Sequence, residues 1–188
     1  MLQDFLKDNI LKELELAPTP SQVETVEIIS SFLSSHPGKS ALVMRGYAGT
    51  GKTTLVRAII RVLKELGQKA VLLAPTGRAA KVLGNSVGDH AYTIHKKIYR
   101  QQSSRDGFLA FELNKNFYKD TLFVVDEASM ISNGEGGGIF GSGRLLDDLL
   151  EYVSSGLNCR VFLLGDDAQL PPVGLSHGPA LDPDYISG

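Results

Sequence analysis

The chain has little of what defines several classes of protein: its 188 residues include one cysteine and no tryptophan, and no apolar run approaches the roughly 20 residues of a membrane-spanning helix. A single cysteine excludes an internal disulfide framework and a cysteine-built zinc site, which fits a reducing compartment, and Cys159 is predicted to be a small core residue. The N-terminus carries acidic residues early and lacks the apolar segment of a signal peptide. We therefore expect a cytoplasmic protein that makes no membrane contact.

The chain also lacks a strong net charge. Nineteen basic and 21 acidic side chains give a formal charge of -2, so the net charge does not indicate a general polyanion-binding surface. Apolar residues make up 43% and charged residues 21% of the sequence, as in an ordinary globular protein, and the length suffices for one buried core.

Four short apolar runs, rich in β-branched residues, alternate with segments of helical periodicity. These runs are nearly all apolar without alternation, as expected of strands buried on both faces, and they occupy residues 40–45, 69–74, 121–126 and 160–165. This order predicts an α/β fold with a parallel sheet flanked by helices.

Composition divides the chain into a main domain with additions. Residues 1–18 predict a peripheral amphipathic helix, and residues 19–188 contain the predicted main domain. The polar and aromatic stretch at about 96–120 breaks the strand-helix rhythm and is predicted to be a small insertion. The glycine-rich stretch at 132–143 predicts a mobile loop.

A phosphate-binding pattern stands between the first predicted strand and the following helix. Residues 46–53 read GYAGTGKT and complete G-x-x-x-x-G-K-[ST], whose glycines let backbone N–H groups face phosphate oxygens at a helix N-terminus. Lys52 is expected to reach the β- and γ-phosphates, and the Thr53 hydroxyl is expected to bind Mg²⁺. An ordinary glycine turn is the alternative, and the flanking strand and helix argue against it. The predicted nucleotide-binding residues here are Gly46, Gly49, Thr50, Gly51, Lys52, Thr53 and Thr54.

Two further predicted strands end in polar residues. Asp126 is expected to hold Mg²⁺, and the adjacent Glu127 to accept a proton from an attacking water, which together predict a nucleotide hydrolase. Gln169 lies in LLGDDAQLPPVG, where its neutral amide is suited to sensing a γ-phosphate or its water. A plain turn is an equally good interpretation of that segment alone. The predicted catalytic residues are Lys52, Glu127 and Gln169.

Six segments in this order resemble the superfamily 1 DNA helicases, most closely the RecD-like and Dda-like branch. The similarity runs from about residue 18 to about 181 and implies a RecA-like P-loop NTPase domain that uses ATP and Mg²⁺. It also implies that Gln22 hydrogen-bonds the adenine edge and that Gln169 couples ATP to the rest of the enzyme. The segments are TPSQ (19–22), GYAGTGKTT, LLAPTGRAAKVL, TIH (93–95), VVDEASM and LGDDAQLPPVG.

The resemblance and the local charge both indicate single-stranded DNA as a partner. Thr76 and His95 match positions that contact single-stranded DNA in relatives, although a histidine at the second position is also consistent with a core residue. Residues 76–105 contain six basic side chains against one acid, a local balance of +5, and Arg78 and Lys96 among them are predicted DNA contacts. The basic set is Arg78, Lys81, Lys96, Lys97, Arg100 and Arg105, and the aromatic candidates for base stacking are Tyr92, Tyr99, Phe108 and Phe111. The resemblance also implies a strand-separating pin in the insertion after TIH, with Phe108 or Phe111 as its candidates.

For the parent enzyme the resemblance implies ATP-driven translocation on DNA, 5′-to-3′, and unwinding. A second RecA-like domain that supplies an arginine to the ATP is also implied, and nothing after residue 174 provides it, so we expect the N-terminal domain of a longer enzyme. The sequence leaves the oligomeric state open.

Three other functions compete with the helicase hypothesis. A GTPase requires N-K-x-D, whereas residues 114–117 read NKNF. A small-molecule kinase leaves the Asp126 and Glu127 pair unexplained. An ATP-dependent DNA-binding module without unwinding activity remains the main alternative.

Overall fold

A five-stranded parallel sheet forms the centre of the computed structural model, which describes residues 1–14, 17–35, 41–47, 49–103, 109–133, 140–166, 168 and 178–187. All four predicted runs are strands of this sheet, and the two runs at 69–74 and 160–165 have the predicted bounds. The α/β prediction is therefore confirmed. In spatial order the strands are β1 (Ala41–Arg45), β7 (Arg160–Gly165), β6 (Thr121–Val125), β2 (Lys69–Ala74) and β3 (Ala91–Thr93).

Each central strand contributes side chains to two apolar cores, one on each face of the sheet. In β6, Leu122 and Val124 belong to one core and Phe123 and Val125 to the other, because successive side chains of a strand point to opposite faces. Every residue of β6 is buried. A continuous apolar run therefore marks this strand in the sequence.

Helices cover both cores. The first core is covered by α1 (Leu2–Lys12), α2 (Pro20–Ser34), α3 (Lys52–Glu65) and α4 (Gly77–Val87), and the second by α5 (Ile94–Ile98) and α6 (Leu145–Ser154), with the short α7 (Pro183–Ser187) beside it. Helix α3 alone buries seven side chains. No helix in the described ranges is both long and apolar enough to cross a membrane.

Helix α1 is the predicted N-terminal addition. Its Leu6 and Ile10 are buried in the first core, so the helix packs on the main domain through two apolar side chains. Lys7 pairs with Glu27 of α2 at 3.0 Å on the exposed side.

The stretch predicted as an insertion contains a two-stranded antiparallel hairpin, β4 (Tyr99–Ser103) and β5 (Leu109–Leu113). Tyr99 is buried, and its hydroxyl donates a 2.6 Å hydrogen bond to the buried Asp148 carboxylate on α6. The expectation that the Tyr99 ring is available for base stacking is therefore wrong.

The Phe111 ring of β5 stacks on Phe140, with ring centroids 4.5 Å apart, and packs against the second core. The Phe111 ring is therefore held against the body of the protein. Phe108, Arg105 and half of the predicted glycine-rich loop, residues 134–139 of 132–143, lie outside the described residues.

Candidate nucleotide-binding site

The segment between β1 and α3 begins the site. Gly46 continues β1, and its N–H donates to the Gly165 carbonyl at the end of β7 at 3.2 Å. Gly49 and Gly51 have φ values of 79° and 87°, a conformation that side-chain-bearing residues rarely adopt. Gly51 directly precedes α3, and its carbonyl accepts the first helical hydrogen bond, from Leu55, at 2.9 Å. The glycines therefore place the N-terminus of α3 at the carboxyl end of the sheet.

Lys52 is folded over this segment. Its ammonium group donates hydrogen bonds to the carbonyl oxygens of Gly46 and Tyr47, the second at 2.8 Å. The Thr50 hydroxyl donates to the same Tyr47 carbonyl, also at 2.8 Å. The Lys52 ammonium group is thus held against the phosphate-binding segment, at the position where a phosphate would bind.

Asp126 and Glu127 follow β6, two strands away from β1 in the sheet. The Asp126 N–H donates to the Leu73 carbonyl of β2 at 3.0 Å, which extends the strand ladder by one residue. The Glu127 N–H in turn donates to Asp126 Oδ1 at 2.9 Å. Glu127 adopts φ 55° and ψ 35°, a left-handed conformation that is uncommon for a residue with a side chain and that often marks functional sites.

The environment raises the pKa of both carboxyl groups. Burial raises the pKa of Asp126, against the opposing effects of the Glu127 N–H and the Lys52 charge. Burial also raises the pKa of Glu127, as does the negative charge of Asp126, whereas the positive charge of Arg78 lowers it. An elevated carboxyl pKa makes Glu127 a better proton acceptor, because general bases work best with a pKa near the operating pH.

Seven of the predicted catalytic, nucleotide-binding and metal-binding residues line one cavity of about 410 Å³. Gly46 and Thr50 lie immediately beside it, whereas Gln169 falls outside the described residues. The cavity is lined by Gly49, Gly51, Lys52, Thr53, Thr54, Asp126, Glu127, Gly165 and Asp166.

The sequence analysis missed two lining residues, Gly165 and Asp166, of which Asp166 carries a side chain. It is only 5% exposed, and its Oδ1 accepts the Ala168 N–H at 2.9 Å. The signal was available, since Asp166 follows β7 as Asp126 follows β6, and polar residues at the carboxyl ends of parallel strands converge at one edge of a sheet.

Gln22 lies outside the cavity lining but next to the phosphate-binding segment. A Cβ atom on Gly51 would lie 3.2 Å from its side-chain nitrogen. Its side-chain oxygen accepts the Thr19 N–H at 2.9 Å, while the Thr19 hydroxyl accepts the Gln22 N–H at 3.3 Å. This reciprocal pair is a capping box for α2, a pattern that TPSQ itself encodes. The local bonds leave the Gln22 NH₂ group facing Gly51.

These residues fit a nucleoside triphosphate and its Mg²⁺ ion. The N-terminus of α3, two left-handed glycines and the Lys52 ammonium provide donors for phosphate oxygens. Thr53 and Asp126 line the same cavity and carry the hard oxygen ligands that Mg²⁺ prefers.

The four predicted DNA contacts follow β2 and β3 at this same edge. Thr76 is exposed and caps α4, with its hydroxyl accepting the Ala79 N–H at 3.1 Å. Arg78 and Lys96 are also exposed. His95 is half-buried, 5.0 Å between ring centroids from Phe140, and burial lowers its pKa below the ordinary value of 6.5. Its imidazole is therefore neutral at pH 7, and it offers a ring and a hydrogen bond but no charge.

Comparisons with known proteins point to one family. Residues 20–181 match the family model AAA_30, an AAA domain. The chain is 37% identical over 145 residues to the ATP-dependent RecD2 DNA helicase of Deinococcus radiodurans, a match that covers 77% of this chain and 18% of the relative. It is 30% identical over 138 residues to the ATP-dependent DNA helicase dda of Enterobacteria phage T4, covering 72% of this chain and 29% of the relative. The chain thus spans less than a third of either relative.

Solved structures agree on the fold. The Pif1 helicase from Candida albicans matches with a TM-score of 0.50 at 18% identity, over 84% of this chain and 34% of that one. The large terminase of bacteriophage HK97 matches with a TM-score of 0.52 at 12% identity, over 85% of this chain and 37% of that one. The chain therefore belongs to the AAA_30 family of AAA domains, as a RecA-like domain of the RecD/Pif1 type of superfamily 1 helicases.

Proposed function

We propose that this chain binds and hydrolyses ATP with Mg²⁺, and that the parent enzyme uses this hydrolysis to translocate 5′-to-3′ on single-stranded DNA and to unwind duplexes. The observation that carries the proposal is the convergence of Lys52 with Asp126 and Glu127 in one cavity at the carboxyl ends of the strands. Ligands of open α/β sheets bind at this edge.

The phosphate-binding segment supplies the binding contacts. Backbone N–H groups between Gly49 and Thr53 bind the phosphates, together with the Lys52 ammonium, which the Gly46 and Tyr47 carbonyl oxygens hold at this segment. Thr53 and Asp126 hold Mg²⁺, which neutralises charge on the phosphate oxygens. Family membership supports the use of a nucleotide.

Glu127 acts as the general base that accepts a proton from the attacking water. Its raised pKa and its fixed left-handed backbone support this role, since the side chain is directed from a strand end into the cavity lined by Lys52. Positioned general bases contribute about 10²- to 10⁴-fold to rates.

Other parts of the mechanism concern groups beyond the cavity. The Gln22 amide hydrogen-bonds the adenine edge. Gln169 senses the γ-phosphate and couples ATP to the rest of the enzyme. A second RecA-like domain contributes an arginine to the nucleotide. The names of the D. radiodurans and T4 relatives, both ATP-dependent DNA helicases, support an ATP-dependent DNA helicase as the parent enzyme.

Single-stranded DNA binds at the same edge of the sheet, on Thr76, Arg78, His95 and Lys96. Three of these residues are exposed, and all four follow strands that neighbour β6 or its partner β2. The charge of Arg78 also reaches Glu127, so the DNA-binding surface and the general base are electrostatically in contact.

Titration of a fluorescent ATP analogue and a labelled single-stranded oligonucleotide tests the proposal. We expect ATP to compete better than GTP, Lys52→Ala to abolish analogue binding, and Glu127→Gln to retain it. Preference for GTP, or transfer of phosphate to a small acceptor, would contradict the helicase assignment. Binding of both ligands without DNA-stimulated hydrolysis, in a protein that includes the second RecA-like domain, would favour a DNA-binding module.

A further inference from the structure

Two surface cavities flank the edge strand β3, away from the nucleotide cavity. The larger, of about 840 Å³, lies between α4 and β3, and the smaller, of about 560 Å³, extends from β3 toward the start of β2. Tyr92 and Lys96 line both, so the two cavities form one continuous groove, which we call the edge groove.

The pairing of β3 explains why the edge groove is open. Its three residues pair with Leu72–Ala74, the carboxyl-terminal half of β2. Among the described residues, Lys69–Val71 have no strand neighbour on this side. Because β2 is six residues long, the groove descends about 20 Å from the edge that carries the nucleotide site toward the opposite edge.

The edge groove is strongly basic. Its lining contains five lysines and one acid, Asp89, in a chain whose net charge is -2. The single acid is already paired with Lys64 at 2.9 Å. Four of the five ammonium groups form no hydrogen bond or ion pair with any residue in the described ranges; they belong to Lys69, Lys81, Lys96 and Lys115.

Aromatic rings alternate with these charges. Phe117 lines the lower part of the groove and is 82% exposed, so its ring is open to a ligand. Tyr92 lies at the junction of the two cavities, where Lys97 stands 4.3 Å above its ring centroid and 4.8 Å above that of Tyr118. Lys97 therefore organises the rings, and the other four lysines remain available to a ligand.

We propose that the edge groove binds a segment of single-stranded nucleic acid that continues from the DNA contacts at Lys96 toward Lys69. Free lysines suit phosphates, and exposed rings suit unstacked bases, which is the combination that single-strand-binding surfaces use. An acidic peptide would satisfy the lysines but would leave the Phe117 ring without a stacking partner. This inference rests on the proposed DNA-binding function and extends it to a second contact surface.

The test compares oligonucleotides of about 6 and about 16 nucleotides, because only the longer can occupy both surfaces. In the 188-residue chain, Lys69→Gln/Lys115→Gln should weaken binding of the longer oligonucleotide and reduce the slope of log affinity against log salt by about 1.4, at about 0.7 per lost phosphate contact. Phe117→Ala should weaken it at least about fivefold by loss of stacking. Neither variant should change binding of the shorter oligonucleotide.

A matched control removes the same charge elsewhere. Lys12→Gln/Lys119→Gln also takes away two lysines, both outside the groove lining, and should bind both oligonucleotides like the unmodified chain. Binding of a fluorescent ATP analogue serves as the folding control for every variant.

Three outcomes would overturn the inference. One is an equal loss in the groove and control variants, and another is tighter binding of polyglutamate than of the longer oligonucleotide. The third is unchanged binding of the longer oligonucleotide in both groove variants while Arg78→Ala still weakens it, which would leave the proposed function standing. Failure of either oligonucleotide to bind the unmodified chain would reject the proposed DNA binding and the edge groove together.

Discussion

The backbone conformation of Glu127 is expected to lower the free energy of unfolding. Its φ of 55° and ψ of 35° lie in a region that costs about 1–3 kcal/mol for a residue with a side chain, and asparagine adopts this region more readily than glutamate. Replacement by asparagine also removes the repulsion between the Glu127 carboxylate and the negative charge of Asp126, which raises the pKa of Glu127. We expect Glu127→Asn to increase the free energy of unfolding by about 1 kcal/mol. For a chain of this size that corresponds to an increase in Tm of about 2–4 °C.

Thermal unfolding at pH 7 measures this effect, with Glu127→Gln as the control. Glutamine removes the same charge but lacks the left-handed preference of asparagine, so the difference between the two variants isolates the backbone contribution. Both variants should lose ATP hydrolysis in the parent enzyme, because neither supplies a proton acceptor. If Glu127→Asn is no more stable than Glu127→Gln, the reasoning from backbone strain is refuted.

Three further perturbations follow from the contacts described above. Arg78→Ala should raise the pKa of Glu127, measured as an upward shift in the NMR titration of its side-chain carboxyl, and an unchanged midpoint would show that the two charges do not interact. Tyr99→Phe removes the 2.6 Å donor to the buried Asp148 carboxylate and should lower the free energy of unfolding in urea by about 1–3 kcal/mol, whereas no loss would mean that the hydroxyl is dispensable. Burial raises the pKa of Asp126, so its ionised form destabilises the folded state, and Asp126→Asn should be more stable than the unmodified chain at pH 7. That advantage should shrink as the pH falls through the raised pKa and vanish below the ordinary value of 3.8, and a constant difference across this range would contradict it.

The sheet was predictable wherever strands are buried on both faces. In β2 and β7 the apolar runs have the bounds of the strands, because the side chains of Val71–Leu73 and Val161–Leu164 enter the two cores alternately. Strand β3 was missed because its three residues, Ala91–Thr93, are too few to form a run. The hairpin strand Tyr99–Ser103 was missed because most of its residues are polar.

The nucleotide cavity was predictable as far as local patterns encode it. The phosphate-binding segment and the Asp126 and Glu127 pair each lie within a few consecutive residues, so their spacing is visible in the sequence. The burial of Asp166 depends on packing between distant segments, since a Cβ atom on the neighbouring Gly165 would lie 2.6 Å from Leu181. The placement of the Tyr99 side chain likewise depends on its hydrogen bond to Asp148, 49 residues away. Such pairings are set by the tertiary structure and leave no periodic signal.

The edge groove was predictable from the sequence only in part. Its lysines are visible as an excess of positive charge, but they come from the start of β2, from α4 and α5, and from the segment after the hairpin. Only the parallel pairing of β2 with β3 brings them onto one surface.

Isothermal titration calorimetry of ATP with Mg²⁺ tests the central claim most directly, because the claim is that Lys52 and the α3 N-terminus bind the phosphates. The unmodified chain should bind one ATP, and Lys52→Ala should bind it at least about tenfold more weakly, since charge-assisted hydrogen bonds to phosphate contribute about 1.5–3 kcal/mol. Lys12→Gln, which alters a lysine on α1 that does not line the cavity, should bind ATP as the unmodified chain does. Equal affinity of the unmodified chain and Lys52→Ala for ATP would contradict the account.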